Sequence, residues 1–151
     1  MIKEIEAKTI LNKSKQPSGW FGVVYGMNIY RGCQHDCIYC DSRSECYHIE
    51  KFDDIIVKIN APELLRKEIA KKRIRGTIGT GAMSDPYIPV EKEYKLMRQC
   101  LEIIAEYKYP VHICTKSNLI AEIIRFLWTS GTYPGGLARV FHKPRRRIDK
   151  V

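Results

Sequence analysis

Three cysteines lie within one eight-residue segment of the chain, in the pattern C-x3-C-x2-C: Cys33, Cys37 and Cys40. Thiolates this close together can reach one metal centre, and soft sulfur ligands select zinc or an iron-sulfur cluster over oxygen-preferring ions. A structural zinc site needs four ligands, usually two separated pairs. Cys46, His35 or His48 could supply the fourth. The residues alone leave both kinds of site open, and the single compact group counts against zinc.

Alternating strands and helices surround this segment. Predicted strands are residues 27–30, 77–80 and 110–115, with 55–59 either a strand or an extended connector. Predicted helices are residues 62–75, a segment whose first turn holds Glu91 and Glu93, and residues 119–128. Apolar residues recur in the second of these at intervals of three and four: Tyr94, Met97, Leu101 and Ile104. This alternation indicates a parallel α/β sheet with helices outside it.

Functional residues of parallel sheets gather at the carboxyl ends of the strands. The loops that follow the predicted strands there are residues 32–44, 80–86 and 115–118. These three loops contain the cysteine segment and most of the other polar residues that could bind a ligand or take part in a reaction. We therefore expect one site where they meet.

Several motifs in these loops resemble the radical S-adenosylmethionine (SAM) superfamily, in its spore photoproduct lyase-like, or DNA repair photolyase-like, branch. The matching segments are NIYRGC at 28–33, the cysteine motif with Tyr39 before its last cysteine, SDPYIPVE at 84–91 and TKS at 115–117. The resemblance spans roughly residues 20–128. It departs from spore photoproduct lyase proper at Met83, where that enzyme has a hydrogen-donating cysteine. A thioether has no S–H to donate, so thymine-dimer repair is not supported.

The resemblance implies a fold and two cofactors. The fold would be a partial parallel (β/α) barrel with about half of its six strand-helix units. Cys33, Cys37 and Cys40 would bind three irons of a [4Fe-4S] cluster, leaving the fourth iron for SAM. Tyr39 would face adenine, Ser84 and Asp85 would hold SAM, and Lys116 and Ser117 would contact its carboxylate or ribose.

The implied activity is reductive cleavage of SAM to a 5′-deoxyadenosyl radical, which abstracts hydrogen from a substrate. A flavodoxin- or ferredoxin-type protein would be the reductant. Neither a catalytic residue nor a substrate is assigned, and nucleic acid stays open as a substrate.

The chain divides by composition into a radical SAM core, residues 1–128, and an atypical basic tail, residues 129–151, which we expect to be poorly ordered. About three strand-helix units precede the tail, so the interpretation is a truncated barrel whose open edge would allow association. Loss of half the barrel puts catalytic competence in doubt. The alternatives are a non-catalytic remnant and a zinc-stabilised nucleic-acid-binding module.

The composition bears on partners and location. The 151 residues carry a net charge of +9, of which +5 comes from six cations and one acid after residue 138. A basic arm would suit nucleic acid, but a solvated terminus is the simpler interpretation. The first twenty residues mix Lys and Glu, and no long apolar run follows. We therefore expect a cytoplasmic protein with reduced cysteines and no membrane contact. Cys100 and Cys114 are predicted to be small buried hydrophobes.

Overall fold

The computed structural model describes residues 1–16, 22–35, 37–44, 52–129 and 138–142. Its strands are β1 (Ile2–Ile5), β2 (Leu11–Lys13), β3 (Val23–Met27), β4 (Tyr30–Arg31), β5 (Ile55–Lys58), β6 (Thr77–Thr80), β7 (Val111–Thr115) and β8 (Ala138–His142). Its α-helices are α1 (Ala61–Ala70), α2 (Glu91–Tyr94), α3 (Leu96–Glu106) and α4 (Ile120–Thr129), and a short 3-10 helix covers Asp41–Arg43. The protein is therefore mixed α/β, as the alternating pattern predicted.

The strands form two sheets. The larger has the order β2-β3-β6-β7-β8, in which β3, β6, β7 and β8 are mutually parallel neighbours and β2 is antiparallel to β3. Helix α3 connects β6 to β7, and α4 connects β7 to β8. The smaller sheet has the order β1-β5-β4, with β1 parallel and β4 antiparallel to β5. The predicted parallel arrangement is confirmed for the four neighbouring strands of the larger sheet.

The first predicted strand, residues 27–30, is corrected by the structure. Strand β3 ends at Met27 and β4 begins at Tyr30, because the chain leaves the larger sheet between them and enters the smaller one. Lys58 holds this crossing by donating from its amine to the carbonyl oxygen of Asn28 at 2.7 Å. Strand β5, a predicted strand or connector, is a strand, but it lies in the smaller sheet. Part of the tail that was expected to be poorly ordered forms β8, which pairs in parallel with β7.

The predicted helices also differ in their ends. The first helix ends at Ala70 rather than Arg75. The second is broken at Lys95, whose φ of 51° lies in the left-handed region. The carboxylate of Glu91 stabilises the break because it accepts hydrogen bonds from the Met97 amide at 2.9 Å and from the Tyr30 hydroxyl.

None of the helices in the described residues combines the length and apolar character needed to cross a membrane.

The two cysteines outside the motif have different environments. Cys100 is fully buried in α3, as predicted. The prediction for Cys114 was wrong, because its side chain is exposed. Successive side chains of a strand point to opposite faces, and in β7 the buried face is formed by Val111, Ile113 and Thr115.

Two N-terminal strands, β1 and β2, were not predicted, and one carboxylate of α1 fixes the second of them. Glu68 accepts hydrogen bonds from the amides of Ile10 and Leu11, each at 2.9 Å. Replacing Glu68 with Gln leaves one of these buried donors facing an amide NH2. We expect Glu68→Gln to lower the free energy of unfolding by about 1–2 kcal/mol, measured by urea denaturation.

Glu63 provides the matched control in the same helix, because its exposed carboxylate makes only a surface ion pair with Lys67 at 2.7 Å. Glu63→Gln should change the stability by less than about 0.5 kcal/mol. Equal losses for the two variants would contradict the anchoring role of Glu68.

Candidate functional site

The cysteine segment begins directly after β4, at a turn that the backbone defines closely. Gly32 has a φ of 87°, and a Cβ at this position would lie 2.5 Å from the carbonyl oxygen of Asp54. The amide of Cys33 donates to the carbonyl oxygen of Phe52 at 3.0 Å. Further along, the Cys40 amide donates to the carbonyl oxygen of Cys37 at 3.1 Å. The glycine and these hydrogen bonds fix where the segment starts and turns.

The three cysteines of the motif differ in exposure. Cys33 is buried, whereas Cys37 and Cys40 are half-buried, and none of them forms a disulfide with another described residue. Burial raises the pKa of Cys33, although the backbone amides of His35 and Asp85 donate toward its sulfur and act in the opposite direction. Within the described residues, no three His, Cys, Asp or Glu side chains converge on a single ion. A cluster whose cysteines each bind a different iron does not require such convergence.

Lys116, at the end of β7, reaches the cysteine segment. Its amine lies 2.8 Å from Cys37 Sγ and 4.3 Å from the centre of the Tyr39 ring. Burial lowers the pKa of Lys116, but the thiol and the phenol outweigh this effect, so the pKa lies above its usual range. Tyr39 is 58% exposed, which leaves its ring accessible to a ligand. Three of the predicted site residues are thus neighbours.

Asp85 joins the second loop to the third. One of its carboxylate oxygens accepts hydrogen bonds from the Thr115 hydroxyl at 2.7 Å and the Tyr87 amide at 2.8 Å, and the other accepts from the Lys116 amide at 2.7 Å. Burial opposes ionisation of this carboxyl, but its hydrogen bonds together hold the pKa below its usual range. Both oxygens are engaged by the protein. Asp85 therefore positions Lys116, and its contact with SAM stays a prediction.

His35 and Thr115 also belong to this network. His35 was predicted only as a possible fourth zinc ligand, and Thr115 was not predicted as a site residue. His35 Nε2 lies 3.3 Å from an Asp85 oxygen, close enough for an ionic contact although the two groups are not aligned as a hydrogen bond. The Thr115 hydroxyl also accepts the Ser117 amide at 3.0 Å. Thr115 stands at the end of a predicted strand, which was a usable signal. No signal in the sequence indicated that His35 would lie beside Asp85, because loop histidines are common and the two residues are distant in sequence.

The two predicted serines have different surroundings. Ser117 is buried, and its hydroxyl accepts the amide of Leu119 at 3.3 Å, which is the N-terminal turn expected before a helix. Ser84 is also buried, and its Oγ has no hydrogen-bond partner in the part of the chain that the structure describes. The same loop approaches β7 closely, because a Cβ at Gly81 would overlap the carbonyl oxygen of Cys114. Ser84 therefore keeps an unused donor near the meeting point of the loops.

A cavity of about 310 Å³ opens beside this network. Its walls include His35 from the cysteine segment, Pro89 and Lys92 from the segment after β6, and Lys116 and Ser117 from the end of β7. Two of the loops that the sequence singled out, residues 32–44 and 115–118, therefore line one space, together with the segment that follows the loop at 80–86. Cys46 and His48, two of the three sequence candidates for a fourth zinc ligand, lie outside the described residues, as does most of the basic tail.

The chain is similar to curated proteins that are longer than it is. It is 38% identical over 122 residues to uncharacterized protein MJ0683 of Methanocaldococcus jannaschii, an alignment that covers 79% of this chain and 44% of that protein. It is 32% identical over 124 residues to uncharacterized protein Rv2578c of Mycobacterium tuberculosis, covering 78% of this chain and 36% of that protein. The chain thus spans less than half the length of these relatives. No family model matches it, and no solved structure matches it.

Proposed function

We propose that this chain is the cluster- and SAM-binding part of a radical SAM protein. The main support is the contact of Lys116 with Cys37 and Tyr39, which joins the end of β7 to the cysteine segment. Asp85 links the intervening loop to the same point. The loops that follow β4, β6 and β7 therefore come together beside Cys37, which supports the arrangement that the motifs imply.

The residues fit the proposed cofactors chemically. Three reduced thiols in one short segment are a donor set suited to an iron-sulfur cluster. The buried, unpartnered hydroxyl of Ser84 and the accessible ring of Tyr39 offer a polar and an aromatic contact to an organic cofactor. When bound, these cofactors would supply one-electron reduction of SAM and, from it, a radical able to abstract hydrogen.

The chain's own residues would bind and orient these groups. Cys33, Cys37 and Cys40 would hold the cluster, and the cation of Lys116 would attract the carboxylate of SAM. Asp85 fixes the backbone of Lys116 at 2.7 Å and so sets the direction in which that side chain leaves the strand. The activity of a complete protein and its substrate are not part of the proposal, because the chain spans less than half of its relatives.

Anaerobic reconstitution of the full chain with iron and sulfide tests this proposal. We expect bound iron and sulfide, the brown absorbance of a cluster, and an electron paramagnetic resonance signal of the reduced cluster that changes when SAM is added. Lys116→Gln should retain the iron. The SAM concentration needed to change the spectrum should rise roughly tenfold, because the variant lacks a charge-assisted hydrogen bond to SAM.

Lys71→Gln, at an exposed lysine after α1, is the matched control and should leave both iron and SAM response unchanged. A colourless protein that takes up one zinc per chain would contradict the proposal. Cluster formation without 5′-deoxyadenosine production, in the presence of dithionite and SAM, would identify the chain as a cofactor-binding part that does not complete the reaction alone.

A further inference from the structure

A second cavity, of about 270 Å³, lies outside the arrangement described above. It is formed by the segment from Tyr87 to Arg98 on one side and by residues 119–123, at the start of α4, on the other. Both helical segments begin at the carboxyl ends of parallel strands, β6 and β7. Lys92 and Leu119 line both cavities, so the two spaces are neighbours.

Three cations line this cavity: Lys92, Lys95 and Arg98. Two carboxylates, those of Glu91 and Glu122, line it as well. The Glu91 carboxylate already accepts hydrogen bonds from the Tyr30 hydroxyl and from the amides of Met97 and Arg98 in the first turn of α3. Hydrogen bonds within the protein thus already stabilise this carboxylate. Arg98 is shared with the Glu102 carboxylate at 3.3 Å, so the exposed Lys92 and Lys95 are the cations that a ligand would meet most directly, and cations outnumber carboxylates in the lining by three to two.

Tyr87 adds a hydrogen-bond donor that the protein does not use. Its side chain is fully buried and lines the cavity, and its hydroxyl has no partner among the described residues. Burial raises the pKa of Tyr87, so the hydroxyl stays protonated. A buried donor without an acceptor is costly, which makes this position one that a bound acceptor would stabilise.

The opposite wall is apolar in part, because Leu119 and Ile123 contribute to it. A cavity of about 270 Å³ is just below the usual range for drug-sized ligands, so it suits a small molecule rather than a polymer segment. A ligand matched to these walls would carry a doubly charged anionic group with oxygen acceptors and a short apolar part.

We propose that this second cavity binds a small phosphate monoester. Its phosphate lies among Lys92, Lys95 and Arg98 and accepts a hydrogen bond from Tyr87, while its organic part contacts Leu119 and Ile123. The inference is independent of the cluster and of SAM, so its test requires neither and the two proposals can fail separately.

Isothermal titration calorimetry tests the inference: phenyl phosphate is titrated into the full chain in the absence of metal. We expect saturable binding that is tighter than that of inorganic phosphate, which lacks the apolar part, and of benzoate, which carries one charge. Lys95→Gln and Lys92→Gln should each weaken binding at least about tenfold, because each removes a charge-assisted hydrogen bond. Both lysines are exposed, so the two variants are expected to fold.

Tyr87→Phe separates a ligand-binding role from a structural one. It should weaken phenyl phosphate binding roughly tenfold, yet leave the melting temperature of the unliganded protein unchanged or raised, because it removes a buried hydroxyl that has no partner. Lys71→Gln is the control of equal charge change away from the cavity and should bind as the wild type does.

Absence of saturable binding would overturn the proposal. So would an equal loss of affinity in Lys71→Gln and Lys95→Gln, which would indicate attraction to overall positive charge. Preferential binding of a short single-stranded oligonucleotide, with no competition from phenyl phosphate, would also overturn it in favour of a nucleic-acid surface.

Discussion

Replacing any one of Cys33, Cys37 and Cys40 with Ala should remove most of the iron that the reconstituted chain binds. Under the proposed function each thiolate holds a different iron, so neither of the two remaining thiols of the motif can take over the position of the one that is lost. A cluster that loses one of three protein ligands loses a large share of its binding energy. Iron and sulfide analysis after anaerobic reconstitution, together with cluster absorbance, measures the loss.

The other cysteines are the controls. Cys114→Ala should leave iron and stability unchanged because the Cys114 side chain is exposed. Cys100→Ala should retain iron but lower the free energy of unfolding by about 1 kcal/mol, because it leaves a small cavity in the core. Cys46 decides between the two kinds of metal site. If Cys46→Ala strips the metal as completely as Cys40→Ala does, the site has four protein ligands, no iron is open to SAM, and a structural site replaces the radical mechanism.

Two neighbouring strands of the larger sheet, β6 and β7, could be predicted from local signals. Strands β6 and β7 are short apolar runs bounded by polar or turn residues, and α4 follows a regular apolar stripe. The smaller sheet could not be predicted, because β1, β4 and β5 are joined by pairings between residues far apart in sequence. Its strand β4 has only two residues, which is too short to show the alternation of apolar and polar residues that marks a strand. Such pairings depend on tertiary contacts that a local pattern does not contain.

The candidate site shows the same division. Spacing alone placed the three cysteines in one loop, and the parallel-strand rule placed Lys116 and Asp85 in the loops that meet it. The role of each polar residue depended on hydrogen bonds that spacing does not reveal. Asp85 was predicted to hold a ligand, yet its oxygens are engaged by three donors of the protein itself. The position of His35, 3.3 Å from that carboxylate, likewise could not be read from spacing.

Asp85→Asn should be among the most destabilising substitutions of the site. The carboxylate accepts hydrogen bonds at both oxygens, whereas an amide offers one acceptor and turns an NH2 group toward a donor in either orientation. In one orientation of the amide, the Lys116 amide is left without its acceptor. In the other orientation, the Thr115 hydroxyl and the Tyr87 amide lose theirs. We expect the free energy of unfolding at neutral pH to fall by about 2–4 kcal/mol, measured by urea denaturation. Asp53→Asn is the control, since the Asp53 side chain is 81% exposed, and should change the stability by less than about 0.5 kcal/mol.

The pH dependence of the same comparison distinguishes loss of charge from loss of shape. The folded-state pKa of Asp85 lies below its usual range, so its stabilising effect is fully present above the unfolded pKa and is lost as the pH falls through the folded pKa. The Asp85→Asn variant has no carboxylate at this position, so it does not lose this stabilisation when the pH falls. The stability difference between the wild type and the variant should therefore be largest near neutral pH and shrink in acid, with urea denaturation curves recorded at each pH. A difference that stays constant down to strongly acidic pH would mean that the carboxylate charge contributes nothing, and that Asp85 acts in the fold only through the space it fills.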